Sequence, residues 1–199
     1  LPVGISSCIP ALTSSLGKLP HSVEGLGPLA FVSASATHSL RVNYDNLSTL
    51  GPDRIANALY TQKAFPTTPR IVISAGTAVV VDGITAQGTF IGGAILPGPT
   101  LQLESLHAGT AALPRVSQGS LPIKLPGTST EQCIRSGVLF GIAGAVSLLV
   151  DRLRDTLGNN VAVVSCGGAW PMIENEVTFS SVHVPYCTVI GAALSTKKL

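Results

Sequence analysis

Charge is what this sequence has least of. Only 11% of its 199 residues are Asp, Glu, Lys or Arg, against about 25% in an ordinary globular chain. The net charge is +2, and the basic residues are scattered, which excludes a nucleic-acid-binding surface built on clustered Lys and Arg. With 45% of residues hydrophobic, so little charge leaves apolar surface to be covered, and a buried oligomer interface is the simplest cover. Long hydrophobic runs are also missing. No stretch of about 18 apolar residues is free of charge, Gly and Pro, so a membrane-spanning helix is not expected.

Several motifs are absent as well. The four cysteines, Cys8, Cys133, Cys166 and Cys187, are far apart and form no C-x-x-C. Neither a zinc site nor a disulfide framework is signalled, and their number fits a reduced, cytoplasmic protein. The histidines His21, His38, His107 and His183 are equally isolated, which points to structural roles rather than metal ligation. There is no G-x-x-x-x-G-K-[ST] and no G-x-G-x-x-G, so neither a P-loop nor a dinucleotide fingerprint is available. A Ser–His–Asp hydrolase lacks its G-x-S-x-G elbow. The opening LPVGISSCIP has no initiator Met and no basic leader and carries two prolines. It makes a poor signal peptide, and the chain is expected to begin part-way through a larger protein.

What is present centres on Ile71–Thr110. The β-branched run Ile71-Val72-Ile73 breaks near Gly76-Thr77 and resumes as Val79-Val80-Val81-Asp82. A third apolar segment, Thr89–Leu96, ends in Pro-Gly. Short β-branched runs bounded by Gly predict strand, tight turn, strand, turn, strand, then a helix over Pro99–His107. A turn with Gly and a hydroxyl exposes backbone N–H groups that suit an anion, although most such turns are only turns.

Before this stretch the chain predicts a short helix near Ala11–Leu19 and strands at Leu29–Ser33 and Leu40–Tyr44. A helix starts at Gly51-Pro52-Asp53-Arg54. Pro52 suits the first helical position, and Ile55, Ala58 and Leu59 share a face. Asp53 in that first turn is favoured by the helix dipole, so it either stabilises the helix end or does chemistry. Beyond the stretch, Ala111–Leu125 reads as a loop with strand pieces. Thr128 and Glu131 have capping-box spacing and open a helix over Thr130–Leu157. Its middle carries Gly137, Gly141 and Gly144, which predicts close packing by other backbone. A strand at Val161–Ser165 runs into the glycine turn Cys166-Gly167-Gly168. A short helix over Ala169–Val177, a strand at Val182–Val184, a closing helix over Tyr186–Ser195 and a solvated Lys197-Lys198 tail complete the order. It is an α/β pattern with a mixed sheet. Acids are scarce before Asp151: Asp45, Asp53 and Asp82 are the aspartates, all near glycine turns, where a carboxylate can reach a substrate hydroxyl or a metal ion.

Seven segments in register carry a resemblance. YDN (Tyr44–Asn46), GPDR (Gly51–Arg54), AGTA followed by Asp82, GGAILPG (Gly92–Gly98), GTAALP (Gly109–Pro114), TEQCIRSG (Thr130–Gly137) and CGG together resemble the type III pantothenate kinases, over essentially the whole chain. The opening ISSCIP is similar to that family's ISSVVP segment. The resemblance implies an α/β, ribonuclease H-like fold of the actin, Hsc70 and sugar kinase superfamily, its mixed sheet flanked by helices. Residues 1–70 would be the remainder of an incomplete first domain and residues 71–199 the second. It implies transfer of phosphate from ATP to pantothenate, giving 4′-phosphopantothenate, the first step of coenzyme A synthesis. A homodimer, a monovalent cation (potassium or ammonium) and a divalent ion such as magnesium with the nucleotide are implied too.

Residue by residue, the resemblance implies that Asp53 is the catalytic base. Tyr44, Gly51, Pro52, Asp53 and Arg54 would line the substrate site, with Thr130 reaching it from the dimer partner. Gly76, Thr77, Gly167 and Gly168 would hold ATP. Ser74 stands where the family has the Asp that binds the monovalent cation, and Cys166 stands where a Thr is common. The family's first phosphate loop, D-x-G-N-T, has no counterpart in these residues. A second reading, of a different class, is a catalytically impaired homologue acting as a binding or regulatory subunit.

Overall fold

The computed structural model describes residues 2–18, 27, 29–34, 40–117, 119 and 123–196. His21, His38 and the Lys197-Lys198 tail lie outside the described residues. Strands β1 (Val3–Ile5) and β2 (Leu29–Phe31) pair in parallel as a separate two-stranded sheet, with helix α1 (Pro10–Leu16) between them in sequence. The main sheet has six strands. Its meander is β4 (Arg70–Ala75), β5 (Ala78–Ile84) and β6 (Thr89–Pro97), all antiparallel neighbours. On one side β3 (Arg41–Val42) joins β6 in parallel; on the other β7 (Ala162–Cys166) and β8 (Val182–His183) add in parallel to β4. The order is β3-β6-β5-β4-β7-β8. A three-stranded meander extended by parallel strands on the β4 side is the ribonuclease H-like arrangement that the resemblance implied.

Strand alternation divides the core in two, because successive side chains point to opposite faces. Ile71, Ile73, Val79, Val81 and Val163 face helix α4 (Thr130–Leu157), whose Ile134, Val138, Ile142, Val146 and Val150 are buried against them. Val72, Ile84 and Phe90 face the other way, onto Ile55, Ala58 and Leu59 of helix α2 (Pro52–Ala64). Helix α3 (Pro99–Ala108) packs on α4, and α5 (Cys187–Leu194) packs along α2 and against β1. Gly191 makes the packing of α5 on α2 possible: a Cβ there would strike the carbonyl of Ala56. Arg70 opens β4 fully buried, and its guanidinium donates to the carbonyls of Phe65 and Thr68 at 2.7 and 2.8 Å and of Thr85 at 2.9 Å. It ties the Pro-rich loop before β4 to the turn after β5.

Several local expectations are corrected. The α4 cap is Ser129, whose Oγ accepts from the Gln132 N–H, and Thr128 instead donates to Gln132 Oε1. The 169–177 segment holds only a 3-10 turn over Trp170–Met172. Burying Trp170 in the α4 core settles the chain there before an α-helix can propagate. Nothing lies within 4 Å of a Cβ placed at Gly137, Gly141 or Gly144, so the glycines of α4 are not crowded by this chain's own backbone; with Leu148 they form its exposed outer stripe. By length and composition α4 could cross a membrane, but 56% of its most apolar window is buried inside the fold, as a core helix requires.

Candidate active site

The site forms where α2 begins, at one end of the central strands. Gly51 and Pro52 start α2, and Asp53 sits in its first turn, half-buried. One turn face carries Arg54 inward onto β5. Its Nε donates to Asp82 Oδ2 at 3.0 Å and its Nη2 to Oδ1 of the same carboxylate, a two-pronged pair whose side chains are only 7% and 6% exposed. Nη1 donates to the Tyr44 hydroxyl at 3.3 Å, and the guanidinium lies 5.5 and 5.4 Å from the ring centres of Tyr44 and Phe90. Paired planar groups and two aromatic faces hold an Arg in one orientation. Burial lowers the affinity of the guanidinium for its proton, but the bonds and charge of Asp82 outweigh it and the net direction is up. Burial pushes the Asp82 carboxyl up against the pull of Arg54. The pair is read as ionised, since two parallel N–H donors need a carboxylate opposite them.

Asp53 directly precedes Arg54 in the first turn of α2. Its negative charge is felt at Asp82 on one side and at Cys166 on the other. The Cys8 thiol donates to Asp53 Oδ1 at 3.5 Å, and burial, with the Asp53 charge behind it, keeps that thiol protonated. A cleft of about 630 Å³ opens here, lined among others by Ser7, Cys8, Thr13, Ser48, Thr49 and Gly51.

The two glycine turns meet at the carboxyl ends of the parallel strands β4 and β7. Gly76 and Thr77 form the exposed bend between β4 and β5, braced by the Gly98 N–H on the Thr77 carbonyl at 2.8 Å. Gly167 has φ +91°, and a Cβ on it would collide with the Ala75 carbonyl, so the second turn lies directly on the first. Gly168 is exposed beside it. Within them the Gly76 N–H is taken by the Ala78 carbonyl at 2.9 Å and the Ala169 N–H by the Ala75 carbonyl at 3.0 Å, which fixes the two turns against each other.

Asp53, Arg54, Tyr44, Gly51 and Pro52 are thus brought together, and Gly76, Thr77, Gly167 and Gly168 form a second group. Thr130 stands apart, exposed at the start of α4 with no hydrogen bond to either group among the described residues. Asp82, Phe90 and Cys8 were not picked out as site residues. Asp82 was visible as a scarce acid at a strand, but its partner is 28 residues away in sequence. His107 and His183 bond to Leu113 O and Ser165 Oγ and serve the fold.

Among the described residues no group of three or more His, Cys, Asp or Glu could hold a metal ion. That suits a divalent ion carried in on nucleotide phosphates, which needs only one or two carboxylates from the protein. It does not suit a charge-held monovalent ion at Ser74, where the residue offers a neutral hydroxyl opposite Cys166.

A mixed sheet flanked by helices, with two adjoining glycine turns and a carboxylate at a helix start, is the α/β architecture that the resemblance implies for a kinase. A solved structure from Campylobacter jejuni, described as a Baf family transcriptional activator, shares the fold with a TM-score of 0.57 at 19% identity, covering 84% of this chain and 71% of that one. The profile of the type III pantothenate kinase family matches residues 2–152, and the chain belongs to that family. Type III pantothenate kinases from Roseiflexus castenholzii, Koribacter versatilis and Thermobifida fusca are 38%, 36% and 32% identical over 96%, 85% and 94% of this chain. The chain spans 73%, 61% and 74% of their respective lengths.

Proposed function

We propose that this protein phosphorylates pantothenate at its 4′-hydroxyl with ATP, giving 4′-phosphopantothenate and ADP for coenzyme A synthesis. The observation that carries the reading is Asp53 itself, an acid in the first turn of α2 directly before the locked Arg54. Asp53 takes the hydroxyl proton as the substrate oxygen attacks the γ-phosphorus and ADP leaves. Arg54, held by Asp82 and Tyr44, presents a fixed positive charge to the substrate. Gly51, Pro52 and Tyr44 shape that side. The N–H groups around Gly76, Thr77, Gly167 and Gly168 receive the nucleotide. A divalent ion such as magnesium, arriving with ATP, supplies charge neutralisation between the phosphates. Phosphoryl transfer is largely positioning and charge stabilisation, so one base, one clamp and two turns suffice.

The proposal extends to a homodimer in which Thr130 reaches the substrate of the partner subunit. The exposed Gly137–Gly141–Gly144–Leu148 stripe of α4 supports it, since glycines let a second backbone approach. A cytoplasmic location is supported by four free cysteines. Residues 1–70 and 71–199 are assigned to two ribonuclease H-like parts, with β3 of the first lending an edge to the sheet of the second. The test is the full-length protein with ATP, magnesium and pantothenate in potassium buffer, followed by mass spectrometry. 4′-Phosphopantothenate is expected with equimolar ADP, and its absence overturns the reading. Asp53→Asn should lower kcat by about 10²–10⁴-fold with an unchanged melting curve.

A further inference from the structure

Ser74 is not a lone replacement. It lies in register with Cys166 across the β4–β7 pairing. Cys166 is 2% exposed and Cys187, at the start of α5, is 0% exposed. The sulfur of Cys166 interacts with the Cys187 thiol and the Ser74 hydroxyl. Cys187 Sγ lies 4.0 Å from the Asn57 carbonyl, and Thr188 Oγ1 donates to Asn57 Oδ1 at 2.7 Å. A run of hydroxyl, thiol and amide groups with no carboxylate therefore joins β4, β7, α5 and α2 beneath the turns. The nearby carboxylates are engaged elsewhere, Asp82 by Arg54 and Asp53 by Cys8.

Beside Ser74 the buried donors are two thiols, and no carboxylate draws a monovalent cation in. Such ions take oxygen ligands, and sulfur is soft. We propose that Ser74, with Cys166 and Cys187 behind it, makes nucleotide binding and phosphoryl transfer by this protein independent of monovalent cations. The inference rests on the kinase reading.

The experiment is calorimetric titration of the full-length native protein and of Ser74→Asp with a non-hydrolysable ATP analogue and magnesium. Each titration is run in potassium chloride and in tetramethylammonium chloride at equal ionic strength. The native affinity should agree between the salts within about twofold, whereas Ser74→Asp should gain a potassium effect of about fivefold or more, the lower range of ordinary coupling between two sites. A fivefold or greater potassium effect on the native protein overturns the proposal. Should Ser74→Asp fail to fold, the native salt comparison decides alone. Pantothenate phosphorylation in the same two salts separates the two readings. Salt-insensitive nucleotide binding with no product in either salt sinks the kinase assignment and leaves the cation inference standing. No nucleotide binding in any salt overturns both.

Discussion

Removing the charge of Asp82 tests the site and the fold together. In Asp82→Asn the volume is kept, but the new amide presents N–H where an Arg54 N–H already points. One of the two parallel bonds is lost, and the guanidinium stays in place with its side chain 7% exposed and no counter-ion. Removing one partner of such a buried pair costs about 3–5 kcal/mol, a large share of the roughly 5–15 kcal/mol that stabilises a typical domain. With a urea m-value of about 2 kcal/mol/M, the unfolding midpoint should fall by about 1.5–2.5 M at unchanged slope. The double variant Arg54→Met, Asp82→Leu should recover to within about 1 kcal/mol of the native protein, because no buried charge remains. Catalysis should separate from stability here. The double variant should fold yet show a strongly raised KM for pantothenate, since the clamp is gone. A midpoint shift below about 0.5 M for Asp82→Asn would refute the argument that Arg54 is held by a dehydrated pair.

Arg70→Met strands three carbonyls that the guanidinium now satisfies, and chemical denaturation should register a loss of about 3 kcal/mol or more. Thiol titration of the native protein with an aromatic disulfide reagent should reach Cys8 and Cys133, which are exposed, and not Cys166 or Cys187, which are buried; all four should react in denaturant. Because partial burial and the Asp53 carboxylate raise the pKa of the Cys8 thiol, Cys8 should react faster at neutral pH in Asp53→Asn than in the native protein, and equal rates would count against the Cys8–Asp53 contact. Gly141→Leu adds a side chain where the chain itself has open space. It should raise monomer stability by up to about 1 kcal/mol through helix propensity while shifting sedimentation toward monomer; an unchanged dimer would remove α4 from the interface.

Local chemistry explains most of the secondary structure read from the residues alone. The Gly51-Pro52-Asp53 start of α2, the β-branched runs of β4 and β5, and the long apolar stripe of α4 each follow from preferences that act within a few residues. The seven motifs in register also carried the family, which short-range physics could not have supplied. Even locally there were misses where two solutions compete. Ser129 and Thr128 can both cap, and the hydrogen bond of Gln132 decided between them. The Ala169–Val177 segment could be a helix until the burial of Trp170 stopped it.

Other features were decided by tertiary structure because they depend on which face of the sheet each helix covers. Asp82 meets Arg54 because alternation turns Val79 and Val81 toward α4 and their neighbour toward α2. From the sequence, Asp82 was an acid near a turn with no stated partner. Cys8 reaches Asp53 across 45 residues of chain, and Ser74 reaches Cys166 through strand register. The glycines of α4 were legible as small, but whether they face a neighbour or open space is set by how the helix rolls onto the sheet. Composition and periodicity determined which elements form and, by resemblance, the family they belong to. Only the packed sheet determined which charges are paired, which thiols are hidden, and that two buried thiols lie behind Ser74. Those outcomes depend on distances between segments remote in sequence, and only the closed fold brings them within contact.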